Sequence, residues 1–330
     1  MSERYHPDAD QVAFVDSVSK SLTSILPLSR LHDSHEESPQ TWADLDSLGL
    51  FGIATSEHEG GSGLGAAEEA LIVLALGRRA VGPSVLATIG ATHVPTAANY
   101  LPPSAERRVA AGYRRGERVV FVEDSAAQLV LVRSDAGAAL FERAQSSRVV
   151  DAQLWSSRLW QADALGAPVA EATPAQVLRL RLLDAAALAG LALAAQEMAV
   201  GYAGLREQFG RPIGSYQAVK HHCANMAIAA RQACDLVSFA AIAIDDGRAD
   251  AALQVESALY VAGSAALDNC GKNIQVHGGM GFSDEADPHL LLKRSRVLLE
   301  IAGGLEAALL RVGSCPAEAE PSAHAQRGVR

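Results

Sequence analysis

The sequence predicts a mostly α-helical protein with a small β middle domain and a C-terminal four-helix bundle. Three observations support this fold class. Apolar residues recur with a helical period in the N-terminal third, short apolar runs of strand length follow, and four long amphipathic segments occupy the second half. We expect four parts: an N-terminal helical domain over residues 1–105, a shortened β domain over 106–170, the bundle over 171–314 and a disordered tail over 315–330.

The N-terminal part begins with an amphipathic helix, in which Val12, Val15, Val18 and Leu22 follow a period of about 3.6 residues. The glycine-rich turn GGSG at residues 60–63 interrupts the helical pattern. A second helix follows with two glutamates in its first turns, where the helix dipole favours acidic groups. The paired prolines at positions 102 and 103 mark the end of this part.

The middle part contains three short apolar runs, RVVFVED, QLVLVRS and AALFERA. Their length and the Asp, Ser and Gly residues between them predict a small antiparallel sheet. The region has room for a few strands but not for a complete barrel with a ligand site of its own.

The C-terminal part predicts four helices. The first begins near Thr173, and its apolar residues, including Leu188, Leu191 and Met198, share one face. The others are expected over residues 217–245, 251–276 and 289–311. Four long amphipathic helices in sequence predict a four-helix bundle.

Composition excludes several classes of function. The formal charge of −10 argues against a nucleic-acid partner, which calls for a basic surface. The longest apolar run, residues 185–195, is too short to span a membrane, and the N-terminus has no apolar signal core, so we expect a cytoplasmic protein. The four cysteines lack C-x-x-C spacing, and the histidines lack the i, i+4 spacing of a helical zinc site, so no metal site is predicted.

Two segments have residue types suited to binding a phosphate. In REQFGRPIGSYQ, residues 206–217, an arginine offers a planar fork of donors. In NIQVHGGMGF, residues 273–282, adjacent glycines let a phosphate or another backbone approach closely. Local chemistry alone favours the structural alternatives, a surface arginine before an ordinary loop and a glycine helix cap followed by a tight turn.

Taken together, four stretches in order resemble the acyl-CoA dehydrogenase family, the flavin enzymes that oxidise acyl-CoA thioesters. LGLFGIATSEHEGGSG and LGRRAVGPSVLAT resemble its N-terminal helical domain. REQFGRPIGSYQAVKHHCANMA resembles its bundle signature, and IQVHGGMGFSDEADPHLLLKRSRV resembles its glycine-rich segment. The resemblance is strongest over residues 185–296 and weak over 105–170, and it implies an acyl-CoA dehydrogenase-like fold.

The resemblance also implies site residues. In this family two chains enclose each FAD, and the bundle of one chain contacts the nucleotide end of the cofactor held by its neighbour. The cofactor-binding residues carried over are Arg206, Gln208, Phe209, Gln217, Gln275, Gly278 and Gly279. Arg181 matches an arginine near the acyl-CoA pocket, and a surface arginine near a helix start is the alternative for it.

Two departures from the family pattern concern catalysis. The family base is a carboxylate that removes the proton α to the thioester carbonyl, and its two known positions fall here on Gly303 and Leu180, so no catalytic residue is expected. Glu300 lies three residues before Gly303, almost one helical turn, and we weigh it as a relocated base or an ordinary helix carboxylate. The flavin-ring motif of the middle domain is absent, and LWSSRLW at residues 154–160 does not restore it.

The resemblance therefore implies a subunit of a heterotetrameric acyl-CoA dehydrogenase. A longer partner would hold the flavin ring and supply the catalytic Glu, and FAD would be shared between the two chains. Split enzymes of this kind act on CoA thioesters of sterol or bile-acid side chains, and electron-transfer flavoprotein is the usual electron acceptor. Two alternatives stay open: a self-sufficient homomeric enzyme with a relocated base, and a flavin-free scaffold or regulatory protein.

Overall fold

The structure is a computed structural model, and it describes most of the chain. The described residues are 6–34, 36–94, 106, 108–116, 118–122, 126–134, 137–143, 148–150, 158–162 and 165–315. The predicted boundary at 105/106, the paired prolines and residues 316–330 of the predicted tail lie outside these ranges, as do residues 154–157 of LWSSRLW. The proposed division into domains stays a prediction.

Five helices form the N-terminal part: α1 (Ala9–Ile25), α2 (Arg30–Asp33), α3 (Pro39–Ser47), α4 (Ala66–Arg78) and α5 (Pro83–Ala91). The predicted α1 and α4 are confirmed. Asp8 and Gln11 form a capping box that begins α1. The start of α4 is capped from a distant part of the chain, because the Asp245 carboxylate accepts from the backbone N–H groups of Ala66 and Ala67 at 2.6 and 2.9 Å.

Seven strands form one mixed sheet: β1 (Val109–Arg115), β2 (Arg118–Val122), β3 (Leu129–Ser134), β4 (Gly137–Glu142), β5 (Arg148–Val150), β6 (Leu159–Ala162) and β7 (Ala170–Glu171). Their order is β5-β6-β2-β1-β3-β4-β7. The three runs recognised in the sequence are β2, β3 and β4. The expectation of a purely antiparallel sheet is wrong, because β1 pairs in parallel with β3 through the register Ala111↔Leu131.

The C-terminal part contains α6 (Pro174–Leu205), a two-stranded hairpin of β8 (Glu207–Gln208) and β9 (Arg211–Pro212), α7 (Gln217–Asp245), α8 (Ala251–His277), α9 (Pro288–Ile301) and α10 (Gly304–Ser314). The four-helix bundle is confirmed, since α6 and α8 each pack against both α7 and α9. The single fourth helix expected over 289–311 is wrong. Gly303 and Gly304 adopt left-handed φ values of 95° and 85°, which end α9 and start α10.

One apolar core joins the N-terminal helices to the bundle, and a second cluster lies between the sheet and α5, α6 and α9. Glycine allows the closest approach in the first core, between α4 and α6. A Cβ atom on Gly190 would stand 2.1 Å from the backbone oxygen of Leu74, and one on Gly77 would stand 2.2 Å from that of Ala187. The N-terminal helices are therefore fixed directly on the bundle.

Among the described residues, α7 is the one helix whose length and mean hydropathy, 1.5 over its most apolar window, meet the criteria for a membrane span. In this fold α7 packs against α6, α8 and α4. Core helices of soluble proteins pass the same criteria, so this finding gives no support for a membrane location, and the cytoplasmic location stays a prediction.

Candidate functional site

The first motif forms the hairpin that follows α6. Arg206 caps the helix through its backbone N–H, which donates to the Tyr202 carbonyl at 2.8 Å. The hairpin turns at Phe209 and Gly210, whose φ values of 53° and 78° are those of a type I′ turn. The Tyr216 hydroxyl donates to the Gln208 carbonyl at 3.0 Å and holds the hairpin against the start of α7.

The hairpin turn carries an unusual residue. Phe209 is a non-glycine residue in the left-handed region, and it is 92% exposed in this chain. Leu205, the last residue of α6 and four residues before Phe209, is 84% exposed. A strained backbone that presents two large apolar side chains to solvent is typical of a surface that binds something else.

The second motif forms the end of α8. His277 is its last residue, and Gly278 leaves the helix with a φ of 61°. A short 3₁₀ turn over Gly278–Phe282 follows, in which Met280 and Phe282 are exposed. Gly281 is required by space, because a Cβ atom there would stand 2.5 Å from the Ile274 carbonyl oxygen.

The fold brings these two motifs to the same end of the bundle. The rings of Tyr202, one turn before Arg206, and His277, next to Gly278, are stacked with centroids 4.0 Å apart. Gln217 is the first residue of α7 and lies at this end too, because a 3₁₀ turn joins the hairpin to that helix. We call this surface the motif end of the bundle; it contains Arg206, Gln208, Phe209, Gln217, Gln275, Gly278 and Gly279, and all seven residues are exposed.

The donors at the motif end fit the nucleotide end of FAD. Within the part of the chain that the structure describes, the Arg206 guanidinium is exposed and forms no ion pair with a carboxylate, so its donors are available to a diphosphate. The side chains of Gln217 and Gln275 can both donate and accept hydrogen bonds. Gly278 and Gly279 have no side chain to block an approaching phosphate, and Cβ atoms built there would meet nothing within 4 Å.

The two positions of the family base lie together elsewhere, at the junction of α6, the sheet and α10. Leu180 and Gly303 line one cavity of about 20 Å³, room for about one water molecule. Arg181 lines the same cavity. The sequence match thus identified three positions that are neighbours in space, and neither base position bears a group that can take a proton.

Buried ion pairs surround this cavity. Arg133 on β3 pairs with Asp184 on α6. Glu256 on α8 accepts from Arg181 at 2.5 Å and from Arg311 on α10 at 2.8 Å. Burial and, to a lesser extent, the neighbouring Arg181 lower the pKa of Arg133 to about 10, which leaves it charged at neutral pH. The one carboxylate that lines the cavity, Asp184, is thereby held by a cation.

Glu300 lies on a different cavity. This second cavity measures about 500 Å³ and lies between the sheet and α9, with mostly apolar walls that include Val120, Val122 and Leu159. Tyr113 and Ile301 line both cavities and separate them.

Sequence reasoning missed the ion pairs and the ring stack. Arg133 and Asp184 are 51 residues apart, and Arg181 and Glu256 are 75 apart. The available signal was the presence of charged residues within otherwise apolar segments, such as Asp184 in α6 and Arg133 in β3, because a buried charge requires a partner. The sequence alone did not indicate which residue that partner is.

Comparison with known proteins identifies the family. The family described as "Acyl-CoA dehydrogenase, N-terminal domain" matches residues 8–102, and "Acyl-CoA dehydrogenase, C-terminal domain" matches residues 170–314. The chain therefore belongs to the acyl-CoA dehydrogenase family of oxidoreductases, whose members bind FAD, and the resemblance inferred from its motifs is confirmed.

The relatives differ in length from this chain. Acyl-CoA dehydrogenase FadE34 of Mycobacterium tuberculosis is 33% identical over 82% of this chain, which spans only 41% of that protein. Acyl-CoA dehydrogenase IpdE2 of the same organism is 28% identical, and the match covers 76% of this chain and 78% of IpdE2.

Solved structures show the same fold. A chain of the ChsE4-ChsE5 complex from Mycobacterium tuberculosis superposes with a TM-score of 0.75 at 19% identity, covering 96% of this chain and all of that one. A variant of the Tcur3481-Tcur3483 steroid ACAD superposes with a TM-score of 0.74 at 22% identity, covering 92% and 98%. The predicted acyl-CoA dehydrogenase-like fold is confirmed.

Proposed function

We propose that this chain is the non-catalytic subunit of a heteromeric FAD-dependent acyl-CoA dehydrogenase. It contributes the motif end of its bundle to a cofactor held by a longer subunit of the same family. One observation carries the proposal: Leu180 and Gly303 occupy both base positions around a cavity of about 20 Å³, whereas the seven residues proposed for the nucleotide end are all exposed.

The reaction divides between the two chains. The longer partner's glutamate takes the proton from the carbon α to the thioester carbonyl. FAD bound at the shared site would supply the acceptor for the hydride that leaves the β carbon as the α,β double bond forms. This chain's Arg206 guanidinium and the amides of Gln217 and Gln275 bind and orient the nucleotide end. This chain itself moves no proton in the reaction.

The substrate class follows from likeness to named proteins. One structural neighbour is named a steroid ACAD and another is a complex of two differently named chains. We therefore propose a CoA thioester of a sterol or bile-acid side chain as the substrate, in a heterotetramer of two long and two short chains. Electron-transfer flavoprotein is the proposed electron acceptor, on the family resemblance, and the complex is proposed to be cytoplasmic.

Arg181 remains a proposed substrate contact, and its surroundings restrict that role. Its guanidinium is engaged with Glu256 and lines a cavity with room for about one water molecule. In the proposed assembly it would meet an acyl-CoA only at the mouth of that cavity, while the thioester is processed at the partner's site.

The test is flavin content with and without the partner. The lone chain is expected to be colourless or poorly soluble, and the complex with a longer acyl-CoA dehydrogenase subunit, sought first in the neighbouring gene, is expected to contain one FAD per long–short pair. Stoichiometric FAD in the lone chain would overturn the proposal.

Arg206→Ala tests the residue on which the proposed half-site most depends. The substitution removes hydrogen bonds to the charged diphosphate, which contribute about 1.5–3 kcal/mol. We therefore expect the complex to bind FAD about 10- to 150-fold more weakly. Arg231→Ala is the matched control, because Arg231 is an exposed arginine on α7 that pairs with Asp235. Unchanged FAD occupancy in Arg206→Ala would remove Arg206 from the site.

One observation favours the alternative of a self-sufficient enzyme. Glu300 lines the cavity of about 500 Å³, which is large enough for a substrate. If Glu300 were a relocated base, the lone chain would oxidise an acyl-CoA in the presence of an artificial acceptor, and Glu300→Gln would abolish that turnover. Our proposal predicts no lone-chain turnover to abolish.

A further inference from the structure

The contact between Tyr202 and His277 joins the two sequence motifs of the motif end. Tyr202 lies in the last turn of α6, four residues before Arg206, and its carbonyl accepts the Arg206 backbone N–H at 2.8 Å. His277 is the last residue of α8 and directly precedes Gly278. Their rings lie 4.0 Å apart at an interplanar angle of 23°.

The stack continues a polar seam between α6 and α8. Asn269, Asn273 and His277 follow one another at intervals of four residues on α8 and so share one face of that helix. Asn269 donates to the Ala192 carbonyl of α6 at 3.0 Å, and Asn273 donates to the Met198 sulfur at 3.3 Å. Polar contacts along the seam fix the register of the two helices more specifically than apolar packing does.

The histidine ring is held in place from its own helix. Its Nδ1 lies 2.8 Å from the Asn273 carbonyl oxygen, and because a carbonyl only accepts, Nδ1 bears the proton. Burial lowers the pKa of His277 and favours the neutral ring, outweighing the Asn273 hydrogen bond, which acts in the opposite direction. One face of a fixed ring is thus presented to Tyr202.

Tyr202 is only half-buried and lies outside the three apolar clusters of the described residues. The stack therefore lies outside these apolar clusters, between the last turn of α6 and the last turn of α8. The stack connects the helix end that precedes the Arg206 hairpin to the helix end that precedes the Gly278–Phe282 turn.

We propose that Tyr202 and His277 are positioning residues, whose stacked rings hold the Arg206 hairpin and the Gly278–Gly279 backbone in the register needed to bind one diphosphate. This inference rests on the proposed function. It assigns a role to a tyrosine that neither motif includes, and it makes the two motifs a single site rather than two independent contacts.

The experiment measures FAD affinity of the deflavinated long–short complex by flavin fluorescence. Tyr202→Ala and His277→Ala each remove one ring of the stacked pair. From the stabilisation that such a pair provides, we expect each variant to bind FAD roughly threefold to tenfold more weakly. Tyr202→Phe and His277→Phe keep two rings and are expected to bind FAD within about twofold of the unmodified complex.

Tyr260→Ala separates positioning from general stability. Tyr260 is a partly buried aromatic residue of α8 that packs on the main core, about 25 Å along the helix from His277. We expect it to lower the urea midpoint at least as much as His277→Ala does and to leave FAD affinity unchanged.

The inference is overturned if the alanine variants bind FAD as the unmodified complex does, or if the phenylalanine variants lose as much affinity as the alanine variants. Arg206→Ala distinguishes this failure from failure of the proposed function. Should Arg206→Ala lose FAD while His277→Ala retains it, the half-site stands and only the positioning role falls. Should both retain FAD, the half-site itself is wrong.

Discussion

Restoring a carboxylate at the family base position is expected not to restore catalysis. Gly303 has a φ of 95°, and a left-handed conformation costs a side-chain-bearing residue about 1–2 kcal/mol. The adjoining cavity of about 20 Å³ is too small for a glutamate side chain, and overpacking adds about 1–3 kcal/mol. Gly303→Glu is therefore expected to lower the free energy of unfolding by about 2–5 kcal/mol.

The electrostatic surroundings also oppose a base at this position. Arg133, Arg181 and Arg311 line the same cavity, and cations nearby hold a carboxylate ionised and lower its proton affinity. Urea unfolding gives the stability change, and acyl-CoA-dependent reduction of a dye gives the activity of the lone chain. Gly303→Ala is the control that isolates the backbone strain, at about 1–2 kcal/mol. Turnover by the lone Gly303→Glu chain would refute this reasoning, because a single missing side chain would then explain the loss of activity.

Three further predictions concern the folded chain, and each is checked by urea unfolding. Glu256→Gln leaves two largely buried guanidinium groups facing a neutral amide, so we expect it to lower the free energy of unfolding by about 2–4 kcal/mol. Asp235→Asn removes an exposed ion pair and should lower it by less than about 0.5 kcal/mol. Equal losses in the two variants would contradict this prediction. Gly190→Ala forces a Cβ atom against the backbone of α4 and should destabilise, while Gly201→Ala in open space on the same helix should stabilise by up to about 1 kcal/mol. Burial alone would raise the pKa of Glu37, but its arginine partners outweigh that and hold it below its usual 4.5. The stability that the ionised Glu37 contributes is present above pH 4.5 and is lost as the pH falls through the lower folded pKa. In Glu37→Gln the free energy of unfolding should therefore fall less steeply with decreasing pH in the acid range. An unchanged acid dependence would contradict this.

The sequence predicted best where local pattern determines structure. The bounds expected for α7, residues 217–245, agree with those observed, because an amphipathic period and a glycine after the helix end are local signals. The break between α9 and α10 was missed, since the apolar pattern continues through the glycine pair and only the left-handed backbone at Gly303 and Gly304 ends the helix. The parallel pairing of β1 with β3 was missed because β1 contains a glycine and paired arginines instead of an apolar run.

The candidate site was predicted in the same uneven way. Motif matches found Arg206 and Gly278, but the contact that joins them, between Tyr202 and His277, spans 75 residues and has no local signal. Likewise Leu180 and Gly303 were recognised one by one as empty base positions. That they line one cavity bordered by buried ion pairs depends on tertiary packing, which cannot be read from periodicity or spacing in the sequence.

The most direct measurement uses a complex in which only the partner is changed. The longer subunit's own catalytic glutamate is replaced by glutamine, this chain is left unmodified, and FAD content and acyl-CoA-dependent dye reduction are both recorded. We predict one FAD per long–short pair, as before the change, and no turnover above background. Turnover close to that of the unmodified complex, with FAD still bound, would mean that a carboxylate of this chain removes the α proton, and the division of labour proposed here would be wrong.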